Sequence, residues 1–400
     1  MKNLACLVTI LLTSSLTIFA QSPTCDCKTD LDFVVKKLKD TPSFKEQMKG
    51  EALNLFNETY NRLSQKSEQA LPVADCYSLL QEQIGMIDDF HLNLLFNGSA
   101  NSSYLKAQPY SKAEVNALKT YLETTKANAV EGIYKLGESS IEIGLKQTAN
   151  NVVEGIVLTE GDSIWRQGEV YLRGKKNKFG KYNLISNKRA TKTLQMINNI
   201  SFDNARLVSL KKLENPYNAE FKTDKTSNWE FKALKDNVQY IYFGSFNRRE
   251  PNKTASKEFL SDLKTKLTAD YLIVDLRSNG GGANKISQPF FKLLKKSKAK
   301  IYVLTNSFTV SNAEQFTVKL KSLDNTVHLG QGTYGAITYG SNYGNVYETP
   351  SGYFSLYPTD MNFHKQYFQY EGSGVVPDIK LDFNRDWIEQ TLEIIEADQK

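Results

Sequence analysis

One stretch, residues 271–315, constrains the fold of this chain more than any other. It opens with Tyr271–Leu276, a short apolar run rich in branched residues. Such a run predicts a strand covered on both faces, and therefore a strand of a parallel sheet. Three consecutive glycines, Gly280–Gly282, follow. Because glycines adopt backbone angles closed to other residues and let main-chain N–H groups approach a ligand, this turn predicts an anion-binding cradle.

The second half of the stretch repeats the strand signal and then starts a helix. Ile301–Thr305 is the second predicted strand, and the helix is predicted to begin at Ser311. Glu314 follows three residues later, which is the spacing of a capping box. A serine at this junction lies at the positive end of the helix, next to unpaired N–H groups. The structural alternative is that Ser311 only caps the helix.

Four motifs in the carboxy-terminal half of the chain point to a known family. They run, in order, Asp275–Gly282, Asn306–Glu314, Gly330–Gly335 and Glu371–Asp378. In their order and spacing the chain resembles the serine peptidases that include the carboxy-terminal processing proteases and the core of the tricorn protease. The resemblance extends over residues 237–400, with a weaker match at residues 88–94.

The resemblance implies peptide-bond hydrolysis through an acyl-enzyme. The processing proteases use a lysine base, but the equivalent position here is Ala336. The tricorn branch instead uses serine, histidine and glutamate, which match Ser311, His91 and Glu371. In that arrangement His91 takes the proton from Ser311, and the Glu371 carboxylate orients the imidazole. Phe90 stands where the family pattern has a serine, so a fourth polar member is not expected.

The same resemblance implies an oxyanion hole made of main-chain N–H groups. Its predicted donors are Gly280 or Gly281 together with Asn312. The two other histidines, His328 in a strand-like segment and His364 in an aromatic-rich loop, are interpreted as non-catalytic.

Composition and hydrophobic periodicity divide the chain into four segments. Residues 1–20 have a positive start, an apolar run and a small residue before a cleavage point, which predict a signal peptide, with an uncleaved anchor as the alternative. Helical spacing predicts an N-terminal helical region over 21–101, which carries His91. Alternating polarity predicts a β-rich inserted domain over 102–236, either a substrate selector or a structural cover. Residues 237–400 are the predicted core domain.

Alternating strands and helices in the last segment predict an α/β core, within a chain that is α+β overall. The resemblance implies that this core is of the ClpP/crotonase type. The net charge of +6 is small for 400 residues and the lysines are scattered, so nucleic-acid binding is not expected. The amino-terminal apolar run is short for a bilayer, so we expect no integral membrane span in the mature chain.

Three cysteines would remain after signal cleavage: Cys25, Cys27 and Cys76. An exported chain meets oxidising conditions, so one disulfide is predicted between Cys76 and one of the close pair. No second Cys or His pair stands at a zinc spacing, so neither a metal nor a cofactor is predicted.

Three hypotheses from different classes follow. The first is an exported serine endopeptidase, periplasmic or extracellular, that acts on proteins or peptides. The second is a catalytically inactive family member that binds a peptide or another ligand, because the dyad lysine is missing. The third is a crotonase-type acyl enzyme, which the predicted export disfavours because coenzyme A substrates are intracellular.

Overall fold

The computed structural model describes residues 23–399, apart from the segments 100–104, 106–107, 127–128, 149–151, 204–205, 208, 214–217, 236, 341–343 and 360–363. The predicted signal peptide, residues 1–20, lies outside the described residues. Of the helices within them, none has the length and apolar character needed to span a bilayer.

The amino-terminal region is helical, as predicted. Its elements are β1 (Thr24–Cys25), α1 (Cys27–Leu38), α2 (Pro42–Gln47), α3 (Glu51–Lys66), β2 (Leu71–Pro72), α4 (Val73–Ile84) and β3 (Asn93–Phe96). Apolar residues at helical spacing bury one face of each longer helix, and Leu31, Phe56 and Leu80 are fully buried in their shared core. His91 lies in the turn between α4 and β3.

A disulfide joins the first and last of these helices. Cys27 at the start of α1 is bonded to Cys76 in α4, with a Cα–Cα distance of 5.5 Å. Cys25 is a buried free thiol. The prediction of one disulfide from Cys76 to the close pair is therefore confirmed, and the structure selects Cys27 as the partner.

The β-rich region is an eight-stranded antiparallel sheet with the order β10-β11-β4-β5-β6-β7-β8-β9. Its strands are β4 (Gly132–Leu136), β5 (Glu142–Thr148), β6 (Val152–Val157), β7 (Val170–Lys176), β8 (Tyr182–Asn187), β9 (Leu194–Ile200), β10 (Arg206–Leu207) and β11 (Leu210–Lys212). Helix α5 (Lys112–Leu122), which the sequence analysis did not predict, packs Val115 and Leu122 against the sheet residues Ile156 and Leu158. The eight strands confirm the predicted β-rich domain.

The core is a six-stranded sheet with the order β12-β13-β14-β15-β16-β19. Its strands are β12 (Trp229–Lys235), β13 (Val238–Phe243), β14 (Tyr271–Asp275), β15 (Lys300–Thr305), β16 (Thr326–Gly330) and β19 (Ile379–Lys380). The β12–β13 pair is antiparallel and the other pairs are parallel. The two strands of the stretch 271–315 pair in parallel, which confirms the parallel sheet that their buried character predicts; the structure adds that they are neighbours.

Helices cover both faces of this sheet. The crossover helices α6 (Asn252–Lys266), α7 (Asn284–Lys296) and α8 (Asn312–Lys321) share one apolar core with it. The terminal helix α9 (Trp387–Asp398) packs Trp387 and Ile395 against the opposite face. This arrangement confirms the predicted α/β core. Because the strands are parallel, their carboxyl ends meet at one edge, where an α/β sheet holds its functional residues.

Two strand pairings cross the segment boundaries that hydrophobic periodicity and composition predict. Strand β12 lies before the predicted boundary at 236/237, yet it pairs with β13 in the core sheet. Strand β3 of the amino-terminal region joins a small sheet with β17 (Tyr347–Glu348) and β18 (Phe354–Tyr357). Composition does not reveal the partner of a strand, so the division into domains stays a prediction.

The disulfide generates the first testable prediction. Peptide mapping without reduction should recover Cys27 linked to Cys76 and Cys25 as a free thiol. The bond closes a loop with a sequence separation of 49. The entropy of that loop predicts that Cys76→Ser lowers the free energy of unfolding by about 4 kcal/mol, measured by chemical denaturation. The control Cys25→Ser should keep the linked pair. Recovery of a Cys25–Cys76 peptide, or of three free thiols, would contradict the assignment.

Candidate active site

Ser311 lies where the loop after β15 meets the first turn of α8. The loop is tied to the glycine turn after β14, because Val310 N–H donates to Asn279 O at 2.9 Å and Thr309 Oγ1 donates to Leu276 O at 2.9 Å. The backbone angles of Ser311 are φ 60° and ψ −123°. A positive φ is rare for a residue with a side chain, so the surrounding bonds hold Ser311 in a strained conformation.

His91 meets Ser311 across the site. Its Nε2 lies 3.0 Å from Ser311 Oγ, although 220 residues separate the two in sequence. Its main-chain N–H donates to Asp89 Oδ1 at 3.3 Å, which fixes the turn. The Nδ1 atom is buried and has no hydrogen-bond partner among the described residues. Burial lowers the pKa of His91 to about 4, so the imidazole is neutral at ordinary pH.

Glu371 is buried next to this turn, but it does not contact the imidazole ring through a hydrogen bond. Its carboxylate accepts main-chain N–H groups from Phe90 at 3.1 Å, Ile337 at 3.0 Å and Thr338 at 2.8 Å. Burial, and next the charge of Asp89, raises the pKa of Glu371 to about 8. The resemblance implied that this carboxylate orients the imidazole directly. Instead, main-chain donors occupy its oxygens, and Glu371 holds the residue that precedes His91.

Glu314 does the same for the serine. Its carboxylate accepts the N–H of Ser311 at 2.8 Å, which is the expected half of a capping box. It also accepts the N–H groups of Gly335 at 2.6 Å and Ala336 at 3.0 Å, and the hydroxyl of Thr333 at 2.6 Å. Burial raises the pKa of Glu314. Sequence reasoning found the capping role but not the contacts to the later loop.

Together the two carboxylates bind four consecutive N–H groups of one loop, residues 335–338. Glu314 takes the first two and also holds Ser311. Glu371 takes the last two and also holds Phe90, the neighbour of His91. The loop 335–338 therefore connects the main chain at the serine to the main chain at the histidine.

The glycine turn comes close to Ser311. A Cβ on Gly281, whose φ is +85°, would lie 2.8 Å from Ser311 Cβ and 2.9 Å from Asn312 N, so only glycine fits. The N–H of Gly281 donates to Asn279 Oδ1 at 2.9 Å and is therefore occupied. Within the described part of the chain, the N–H groups of Gly280 and Asn312 make no hydrogen bond. Of the predicted oxyanion donors, these two remain available.

The inserted sheet supports the same loops from the other side. Asn199 Nδ2 donates to Tyr334 O at 2.6 Å and to Gly372 O at 2.9 Å. Lys181 Nζ donates to Tyr334 O at 2.5 Å, and burial lowers the pKa of Lys181 to about 8. The ring of Phe179 packs against Gly372 so closely that a Cβ there would lie 2.2 Å from it. Sequence reasoning missed these residues, because they carry no motif and no spacing connects them to the site.

The residues interpreted as structural lie apart from the Ser311–His91 pair. Arg277 and Asp275 form a buried ion pair at 2.7 Å. His328 is buried in β16, with Nε2 2.7 Å from Thr305 Oγ1, and His364 is exposed.

In the described part of the chain, one group of side chains could bring three metal-binding atoms together: Cys25, Asp30 and Cys76. These residues lie in the amino-terminal region, and Cys76 Sγ is already bonded to Cys27. The group is therefore not part of the Ser311–His91 site.

The site thus places a hydroxyl against a neutral imidazole, beside two unoccupied N–H groups, one in the glycine turn and one at the start of α8. This is the arrangement that activates a serine nucleophile and stabilises an oxyanion.

Comparisons with solved structures find several similar chains. A putative peptidase from Parabacteroides merdae ATCC 43184 is 14% identical, with 92% of this chain and 96% of that chain covered and a TM-score of 0.43. The photosystem II D1 C-terminal processing protease is 15% identical, with coverages of 92% and 97% and a TM-score of 0.40. The tricorn protease, a longer chain, is 13% identical, with coverages of 93% and 37% and a TM-score of 0.42.

No curated protein matches the chain significantly. A family model does match: residues 284–381 fit the model of peptidase family S41. The matched segment contains three of the four motifs singled out in the sequence, including those that carry Ser311 and Glu371. This match confirms, over residues 284–381, the resemblance to a serine peptidase family that the motifs predicted.

Proposed function

We propose that this chain is an exported serine endopeptidase that hydrolyses peptide bonds of proteins or peptides through an acyl-enzyme. The observation that carries the proposal is the 3.0 Å contact between Ser311 Oγ and His91 Nε2. The match of residues 284–381 to a peptidase family supports the same reaction class.

The backbone of Ser311 argues against a role that is only structural. A serine that simply caps a helix takes extended angles, as Ser111 does at the start of α5 with φ −65° and ψ 158°. Ser311 instead has φ 60° and ψ −123°, a conformation that costs about 1–3 kcal/mol for a residue with a side chain. Capping does not require this strain. A sharp strand-to-helix turn that exposes a nucleophilic hydroxyl does.

The proposed reaction uses the groups in a fixed order. His91 accepts the proton of Ser311 through Nε2 while Oγ attacks the peptide carbonyl. The N–H groups of Gly280 and Asn312 bind the oxyanion, helped by the positive end of α8. The imidazolium then gives its proton to the leaving amine, and water, deprotonated by the same histidine, hydrolyses the acyl-enzyme.

Glu371 acts in this proposal as a positioning residue. Through Phe90 N–H it holds the turn that carries His91, and through Ile337 and Thr338 it ties that turn to the loop 335–338. Its effect on catalysis then comes from geometry, because a small displacement of a reacting group lowers turnover strongly.

Export is part of the proposal and rests on two observations. The first 20 residues have the composition of a signal peptide. The Cys27–Cys76 disulfide fits an oxidising compartment.

An active-site probe tests the nucleophile. A fluorophosphonate should label the parent protein covalently, and Ser311→Ala should abolish the labelling while leaving the circular dichroism unchanged. His91→Ala should slow the labelling strongly, because the hydroxyl loses its base. The matched control is Ser307→Ala, a serine of the same loop, which should label normally. Labelling that persists in Ser311→Ala would exclude this serine, and a correctly folded parent that does not label would favour the inactive binding module.

The strain at Ser311 can be measured by stability. Glycine adopts positive φ without a steric penalty, so Ser311→Gly should be more stable than Ser311→Ala by about 1 kcal/mol. Both variants lose the hydroxyl, so the difference reports the backbone alone. At Ser78, on the exposed side of α4, the order should be reversed by a similar amount, because glycine weakens a helix interior. Chemical denaturation of the four variants gives both differences, and an alanine variant as stable as the glycine variant at 311 would exclude the strain.

The pH dependence tests the electrostatics of the base. Burial lowers the pKa of His91 to about 4, so kcat/KM on a cleaved peptide should lose activity only as the pH falls through about 4 to 5. Glu371→Gln should lower kcat about a hundredfold or more. The substitution replaces one accepting oxygen with an NH₂ group, which is a donor and leaves main-chain N–H groups without an acceptor. Its acid limb should coincide with that of the parent if Glu371 acts through the main chain. An acid limb near pH 6.5 to 7 in the parent would mean that a carboxylate pairs with the imidazole after all, whereas a limb near pH 8 that Glu371→Gln removes would report the ionisation of Glu371.

A further inference from the structure

A cleft lies between helix α4 and the face of the inserted sheet. It encloses about 510 Å³, a volume within the range of ligand-binding sites. Gln81 of α4 and Gly85, the residue after the helix, form one wall, and strands β7 and β8 form the other. The cleft ends at Phe90 and Phe179, whose rings meet edge to face at 5.9 Å. Phe90 precedes His91, so the cleft ends beside the candidate active site without including Ser311.

The floor of the cleft is apolar. Ile84 at the end of α4, Ile87 in the turn after it and Ile185 of β8 line it and are buried within the fold. Val152 and Phe179 extend the apolar lining and are partly exposed. A site of this shape can take up an apolar side chain of a bound peptide.

The rim of the cleft is basic. Arg173 and Lys175 lie on the face of the sheet that carries Ile185, because Arg173 pairs in register with Ile185 and Lys175 with Asn183. Arg173 is bridged to Glu154 at 2.8 Å. Lys175 is exposed and forms no ion pair with any described residue.

The other charges of the rim do not cancel Lys175. Lys178 is bridged to Asp88 at 2.6 Å, so that pair is neutral. Glu82 is bridged outside the cleft to Arg62 at 2.6 Å. Lys176, at the end of β7, is exposed and also has no ion-pair partner among the residues described.

We propose that this cleft is a substrate-binding exosite that holds a peptide segment in which apolar side chains are flanked by acidic ones. The apolar side chain enters the floor, and the acidic neighbours face Lys175. The occupant is inferred from charge complementarity and from the closeness of the cleft to His91. The inference rests on the proposed function, because the peptide bound here is taken to be part of the chain that Ser311 cleaves.

Binding can be measured without cleavage in the Ser311→Ala protein. The probe is a fluorescein-labelled peptide in which leucine and phenylalanine are flanked on both sides by glutamates, followed by fluorescence anisotropy. It should bind saturably, and more weakly at high salt, because exposed charges are screened. Replacing the glutamates with lysines, or the two apolar residues with serines, should each weaken binding about tenfold or more.

Variants of the cleft locate the binding. Lys175→Glu should weaken binding of the acidic peptide and improve that of the lysine peptide, whereas the matched change Lys292→Glu, on the exposed side of α7, should do neither. Ser78→Trp, which places an indole at the mouth of the cleft, should block both peptides. Ser261→Trp, on the exposed side of α6, is its control.

Two outcomes would overturn the exosite. One is binding that neither Lys175→Glu nor Ser78→Trp changes. The other is displacement of the probe by heparin as effective as that by unlabelled peptide, which would indicate a general polyanion surface.

Fluorophosphonate labelling, measured in the Ser78→Trp and Lys175→Glu proteins with Ser311 intact, separates this proposal from the proposed function. Labelling should persist in both variants, because the cleft does not include Ser311. Normal labelling of the parent, together with no specific peptide binding to the Ser311→Ala protein, overturns the exosite alone. Peptide binding without any labelling of the parent overturns the peptidase and, with it, the assignment of the peptide as substrate.

Discussion

Main-chain N–H groups around the candidate site must find acceptors, because leaving them unpaired in a buried loop is costly. Six of these groups converge on the two buried carboxylates of Glu314 and Glu371. Each carboxylate connects one segment of the candidate site, at Ser311 or at Phe90, with half of the loop 335–338. The distance between Ser311 and His91 therefore depends on how that loop is held.

The same loops are held a second time through their carbonyl oxygens. Lys181 and Asn199 of the inserted sheet donate to Tyr334 O, and Asn199 also donates to Gly372 O, next to Glu371. The two carboxylates thus accept hydrogen bonds from the main-chain N–H groups of these loops, and side chains of the inserted sheet donate to their carbonyl oxygens. The inserted sheet is consequently part of the support of the site, and the cleft against α4 gives it a second proposed use in binding substrate.

Local pattern was enough to predict the central elements. The apolar runs at 271–276 and 301–305 became neighbouring parallel strands, and the helix began at Ser311 as its capping pattern indicates. The pairing of Ser311 with His91 came from the resemblance, since no local signal spans 220 residues. The direct contact expected between Glu371 and the imidazole was not found. A motif identifies the residue but not the hydrogen-bond partners of its carboxylate, which here are main-chain N–H groups.

The sequence by itself determined the strands, the glycine turn, the helix start and the residue types of the site, because these depend on backbone preferences and on periodic burial. Only the tertiary structure shows that the N–H of Gly281 donates to Asn279 and that Cys27 is the partner of Cys76. It also shows that Lys181 donates a hydrogen bond to Tyr334 O beside the site. These outcomes depend on distances between segments far apart in the chain. Such distances are set by packing and by the competition of many donors for few acceptors, which no single segment encodes.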